Sequence, residues 1–277
     1  MSSLIVTLLL VSAMIHAGWN ALVKSGKDRL WSISIIALFG GIAALPFAAL
    51  LQPPALVSLP YILLSSLLQV GYCLFLVRAY DHGDLAQVYP IARGSAPLLV
   101  TIGAAIFAAE LPQTIGLVGI ALVSVGIFSL AIGRHRTDSK SLVSAIAAGA
   151  FIASYMIVDG LGVRVSSSAT GYASWQAAFA GFLIPLTFII IRRKMLVIPM
   201  GKEGASLAIA GVLSALAYCV AVWAMSDAKM GAVSALRETS ILFAALFSAL
   251  ALREKVTFGK LFGAASVLAG VVCFAIS

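Results

Sequence analysis

Apolar residues fill this chain in long runs, separated by short polar breaks that hold most of its Arg and Lys. Ten such runs cover roughly 4–23, 31–51, 58–79, 85–108, 114–132, 142–161, 172–191, 205–226, 230–251 and 258–276. A helix rises about 1.5 Å per residue, so about 20 apolar residues cross a hydrocarbon core about 30 Å thick. The pattern therefore predicts ten transmembrane helices. Connections are short, and no segment remains for a water-soluble domain. The first run has no basic stretch before it, and Arg and Lys follow it, so it reads as a retained helix and not a cleaved signal.

Composition removes the soluble alternative. Of 277 residues only 10% are charged, and the mean hydropathy is +1.10; charge this sparse cannot cover a water-facing surface. The formal net charge of +8 raises the question of nucleic acid, but the basic residues are placed for another purpose. Lys24, Lys27, Arg29, Arg78, Arg134, Arg136, Lys140, Arg192, Arg193, Lys194, Lys202, Arg253, Lys255 and Lys260 fall in or beside odd-numbered loops, whereas the even loops carry only Arg164 and Lys229. Fourteen against two is a positive-inside signal. It predicts a multi-pass protein of the cell (inner) membrane with both termini on the non-cytoplasmic side. No nucleic-acid partner is implied, and no obligate protein partner is evident.

The chain also matches itself. At a shift of 144, Arg93 falls on Arg237, Glu110 on Glu254, Gly119 on Gly263 and Gly126 on Gly270. At a shift of 146, Tyr72-Cys73 meets Tyr218-Cys219 and Asp81 meets Asp227. A long-period match of this kind marks two copies of one unit, here 1–137 and 138–277. Five spans per copy is an odd number, so the second copy must enter the membrane upside down. The loop charges agree, since their bias is opposite in the two copies. The predicted architecture is an all-α integral membrane protein, two inverted five-helix repeats around a central cavity.

Polar side chains inside the spans are few, and a bilayer makes each of them costly unless it faces an interior cavity. His16, Trp19 and Asn20 share one face of the first span at i, i+3 and i+4. They contact either a solute or a neighbouring helix, where such polar groups contribute about 1 kcal/mol as interhelical hydrogen bonds. In the fourth span Arg93 stands between Pro90 and Pro97, about 12 Å from the cytoplasmic end. The prolines each remove a backbone donor, so this helix is expected to bend, a break with no counterpart at Ser240-Ile241 of copy two. Arg237 enters from the other side by about 10 Å. A guanidinium does not lose its proton, so each arginine needs a carboxylate, carbonyls, water or an anionic ligand. Pairing of Arg237 with Glu238, or snorkelling, is the structural alternative to a cavity role.

Glu238 reads as the only carboxylate well inside a span, and is either a proton-coupling group or a permanent partner of Arg237 or Arg93. Glu110 and Glu254 end spans four and nine and read as interfacial structure. Tyr72, Tyr89 and Tyr155 are candidates to line the cavity, beside Gln69; Trp31, Tyr61 and Tyr172 read as interface anchors. Gly116, Gly119 and Gly126 with Gly263 and Gly270 form small-residue stripes for close helix contact. Cys73, Cys219 and Cys273 lie inside spans without metal-ligand spacing and read as packing. No cofactor or metal is implied.

Tyr89-Pro90-Ile91-Ala92-Arg93-Gly94, with Glu110 closing span four before a Gly-rich fifth span, resembles the EamA-type branch of the drug/metabolite transporter superfamily. The resemblance covers nearly the whole chain and is most specific over 85–126 and 230–270. It implies a ten-helix inverted repeat with a central cavity, through which small metabolites, amino acids or drugs pass by alternating access. The family shares no single binding constellation, so Arg93 and Arg237 carry over only as cavity candidates.

The leading functional reading is a secondary transporter of a small polar or anionic, amino-acid-like solute. His16, Trp19, Asn20, Tyr72, Tyr89, Arg93, Tyr155 and Arg237 are its candidate contacts, and the lipid bilayer is its surroundings. A rival within transport is a proton-coupled exporter of cationic solutes using Glu238. A rival of another class is an intramembrane lipid-modifying enzyme. Against it stand the absence of HExxH, GxSxG or paired intramembrane carboxylates, and the isolation of the histidines. A membrane scaffold or sensor has no positive support, and the missing GxxxxGK[ST] loop argues against a nucleotide-driven pump.

Overall fold

A computed structural model describes residues 1–23, 28–82, 85–131, 138–244 and 258–276. Its order is α1 (Ser3–Val23), α2 (Arg29–Leu50), a single 3-10 turn (Leu56–Ser58), α3 (Leu59–His82), α4 (Leu85–Ala108), α5 (Thr114–Ser129), α6 (Ser139–Arg164), α7 (Ala169–Arg192), α8 (Gly201–Ala224), α9 (Met230–Glu238) and α10 (Phe258–Ala275). No strand occurs among the described residues. Within apolar surroundings a helix satisfies its own backbone groups, so these sequences have no cheaper regular form. Polar caps set several starts: Asp28 accepts from the Trp31 amide at 3.1 Å and Ser168 from the Gly171 amide at 3.0 Å. Among the described residues six stretches are long and apolar enough to cross a membrane: Arg29–Leu50, Leu56–Tyr80, Gln87–Ala108, Ser139–Arg164, Ala169–Arg192 and Gly201–Ala224.

Each apolar run of the sequence begins a helix, but the interruption falls where it was not expected. α4 passes Pro90 and Pro97 as one continuous helix. A proline removes one donor without dictating the helix path, and in a bundle the neighbouring side chains re-satisfy the backbone. The Thr101 hydroxyl adds a bond to the Pro97 carbonyl within the same helix, at 2.7 Å. The break lies instead in the ninth run. α9 ends at Glu238, Thr239 turns, and helix resumes over 240–244. The Thr239 hydroxyl donates to the Leu236 carbonyl at 2.6 Å and the Thr239 amide to the same carbonyl at 3.2 Å. A threonine that captures a carbonyl of the preceding turn competes with the helix ladder, which places the break beside Glu238.

The helices pack α1 on α8, α3 on α6, α2 on α7, α4 on α9 and on α6, and α5 on α10. Small residues permit the closest crossings. A Cβ at Gly126 would lie 2.8 Å from the Gly263 carbonyl oxygen, and one at Gly270 would lie 2.7 Å from that of Gly119. Serine hydroxyls add cross-links: Ser12 to the Ala217 carbonyl and Ser141 to the Ala79 carbonyl, both at 2.8 Å. Large apolar side chains such as Leu50, Ile106, Phe107 and Leu261 point outward, which in a bilayer costs nothing. Arg93, Asp159, Arg237 and Glu238, by contrast, turn inward.

Candidate functional site

Two arginines, two carboxylates and four tyrosines meet where α1, α3, α4, α6, α8 and α9 converge. α4 presents Arg93, which is 4% exposed. Its Nη1 stands 3.0 Å from both carboxylate oxygens of Glu238, at the end of α9. One nitrogen thus straddles the carboxylate, where a parallel fork would use two. The other, Nη2, lies 2.8 Å from His16 Nε2 on α1. Arginine has donors only, so His16 must accept there, which requires an unprotonated Nε2. The guanidinium also stacks 5.2 Å over the ring of Tyr89, one turn back on the same helix.

Arg237 is the residue before Glu238, yet its surroundings are different. It is 8% exposed. Its Nη1 donates to the Tyr155 hydroxyl at 3.4 Å, and its guanidinium carbon lies 4.7 Å over the Tyr218 ring. Among the described residues no carboxylate forms an ion pair with it. The question of which arginine Glu238 neutralises is answered by α4, across the bundle, and not by the sequence neighbour. Tyr155 packs edge-on against Tyr72 at 6.1 Å and Tyr218 at 5.8 Å. The aromatic wall is therefore continuous from α3 through α6 to α8.

Beyond Tyr218 lies a second carboxylate. Asp159, on α6 one turn after Tyr155, is fully buried. The Tyr172 hydroxyl donates to its Oδ1 at 2.9 Å and the Tyr218 hydroxyl to its Oδ2. Glu238 is thus not the sole carboxylate deep in the bundle. Asp159 falls close to the end of its apolar run, where a carboxylate reads as interfacial; the i, i+4 spacing from Tyr155 was the available signal. Tyr172, expected as an interface anchor, is also fully buried and bonded to Asp159.

Of the residues singled out from sequence, His16, Tyr72, Tyr89, Arg93, Tyr155, Arg237 and Glu238 come together in this cluster. The side chains of Trp19 and Asn20 lie outside the described residues, as does Glu254. Glu110 stands apart from the cluster, buried at a junction of helix ends. Ala109 ends α4 in a left-handed conformation, φ 50°, and Glu110 then ion-pairs with Arg164 and accepts the Met230 amide at the start of α9. Arg164 also donates to the carbonyls of Met225 at 2.9 Å and Ala228 at 3.0 Å. This ties the ends of α4, α6 and α8 to the start of α9.

Residues 139–276 match the EamA-like transporter family. One protein of known crystal structure superposes with a TM-score of 0.79 at 16% identity, covering 99% of this chain and 96% of its own; at that identity the likeness is one of fold. No curated protein sequence matches the chain. Apolar helices, an inward-facing charged cluster and the family match converge on one assignment: through its second half, the chain belongs to the EamA-like transporter family, multi-pass membrane transporters of the drug/metabolite superfamily.

Proposed function

We propose that the protein is a secondary carrier for small carboxylate-bearing organic solutes, with Arg237 as the group that receives the carboxylate. The observation that carries this is the asymmetry of the two arginines. Arg93 is neutralised by Glu238, whereas Arg237 is buried with one long hydrogen bond and an aromatic face. A buried guanidinium that no carboxylate contacts is under-satisfied, and the carboxylate of an incoming solute supplies the missing contact. Tyr155 and Tyr218 then border the solute, while Arg93, His16 and Tyr89 hold the adjoining wall. The rival in which Glu238 binds a cation is disfavoured because Arg93 already occupies both of its oxygens.

The carrier works as two inverted repeats, 1–137 and 138–277, that exchange access across the inner membrane, with both termini outside the cytoplasm as the loop charges indicate. The packing supports that reading. Exchanging the first five helices for the last five turns the α1–α8 contact into α6–α3 and leaves α2–α7, α4–α9 and α5–α10 as they are. The glycine seam behaves likewise. Gly119 meets Gly270 and Gly126 meets Gly263, and the 144-residue shift carries each of these contacts onto the other. Self-complementary contacts of this kind are the mark of a two-fold axis.

The reading is tested in proteoliposomes by counterflow of radiolabelled L-glutamate, pyruvate and a quaternary ammonium ion. Carboxylate exchange that disappears in Arg237→Met, in protein that still inserts and folds, is the expected outcome. Exchange of the ammonium ion alone, or carboxylate exchange that survives Arg237→Met, would move the function to the rival.

A further inference from the structure

We infer that Asp159 is the proton site of this carrier, taking up one proton for each carboxylate that binds at Arg237. The inference rests on the carboxylate-carrier reading and adds the coupling ion and its location. It starts from charge balance. Arg93 and Glu238 cancel within the bundle. Within the cluster, Arg237 and Asp159 are the other buried pair of opposite charges, held apart by one side chain. Tyr218 presents its ring to Arg237 and its hydroxyl to Asp159. A monocarboxylate arriving at Arg237 leaves the cluster with one negative charge too many. A proton on Asp159 restores neutrality, so solute and proton together add no charge to a low-dielectric interior.

The two carboxylates are not equivalent for this purpose. Glu238 is held by a guanidinium, and protonating it would leave Arg93 buried without its partner. The hydrogen bonds to Asp159 come from neutral hydroxyls, those of Tyr172 on α7 and Tyr218 on α8. Both can accept as well as donate, so they tolerate either state of the acid. From α3, the buried Ser65 hydroxyl also faces the carboxylate, and like the tyrosines it can accept from a protonated Asp159. Tyr61 of α3 borders Tyr172, Cys219 of α8 lies nearby, and the charges of α4 and α9 are Arg93, Glu238 and Arg237. The proton enters from water on one side onto an Asp159 oxygen and leaves to water on the other, with no other bond made or broken. Tyr218 reads both sites, because a change in the bond its hydroxyl makes alters the ring under Arg237.

Two measurements test this. In proteoliposomes, uptake of radiolabelled pyruvate or L-glutamate is followed with and without an inwardly directed proton gradient; at one proton per solute, a one-unit gradient supports about tenfold accumulation. Asp159→Asn is expected to lose the gradient response, and Arg237→Met to lose uptake in both conditions. Infrared difference spectra of the purified protein between mildly alkaline and mildly acidic pH form the second arm, which needs no solute. A protonated-carboxyl band that vanishes in Asp159→Asn and persists in Glu238→Gln supports the inference. A gradient response intact in Asp159→Asn, or a band that follows Glu238, overturns it. Should Asp159→Asn fail to fold, Tyr218→Phe keeps the ring under Arg237 and deletes its bond to Asp159; an unshifted band and an unchanged gradient response in that variant also overturn the inference. Wild-type protein that moves no carboxylate while its band still follows Asp159 refutes the carrier reading and leaves the proton site standing.

Discussion

Glu238→Gln changes one atom in type and should be among the most damaging single substitutions in this protein. Glu238 is fully buried and Arg93 nearly so, with 3.0 Å between Nη1 and each carboxylate oxygen. Glutamine keeps the shape and removes the charge. Arg93 is then left buried with His16, the Tyr89 face and an Nε that has no partner. Removing one member of a buried pair costs about 3–5 kcal/mol, mostly through the stranded charge. Arg93→Met should cost a similar amount. The double variant strands no charge, so it should cost less than the sum by about 2–3 kcal/mol. Arg237→Met gives the contrast: it removes a buried charge that has no carboxylate partner, so it should cost under about 1 kcal/mol or stabilise. Unfolding of the four purified variants beside wild type, at one detergent concentration, gives the comparison. Additive costs in the double variant, or equal costs for Glu238→Gln and Arg237→Met, would refute the assignment of charges made here.

Other consequences are local. Gly126→Val places a Cβ 2.8 Å from the Gly263 carbonyl; because the obstacle is backbone, α5 and α10 must separate, at a cost of about 1–3 kcal/mol in an unfolding assay. Gly18→Ala, in α1 with nothing within 4 Å of the added Cβ, should stabilise by about 0.5–1 kcal/mol in the same assay. Arg164→Lys should lower stability nearly as much as Arg164→Ala, by about 1–3 kcal/mol, because an ammonium cannot serve Glu110 and the Met225 and Ala228 carbonyls together. Near-complete rescue by lysine would show that charge alone holds that junction.

Much of the helical framework is legible in the chain because a bilayer imposes one rule, continuous apolar runs with internally satisfied backbones. Arg93, Arg237 and Glu238 stand out for the same reason, since a charge within such a run is conspicuous. Their pairing is not legible. Arg237 and Glu238 are adjacent in sequence, but consecutive helix residues diverge by about 100°, and Arg93 reaches Glu238 from another helix across 145 positions. The two prolines are the obvious candidates for a break, yet α4 absorbs both while the Thr239 hydroxyl ends α9. A hydroxyl's choice between solvent, neighbour and the preceding carbonyl depends on packing that no local pattern encodes. Asp159 and Tyr172 sit near run ends, where polar residues are ordinary, and only the folded bundle reveals that both are dry.

The most direct test of the account is ligand-dependent stability of the purified protein. Its unfolding midpoint should be followed against rising L-glutamate, pyruvate and their matched amines, in wild type and in Arg237→Met. A ligand that binds only the folded state stabilises by about 2.7 kcal/mol at a hundredfold excess over Kd. Carboxylates should stabilise wild type and leave Arg237→Met unchanged. Stabilisation by amines alone, or an equal carboxylate effect in both proteins, would contradict the carboxylate-carrier reading.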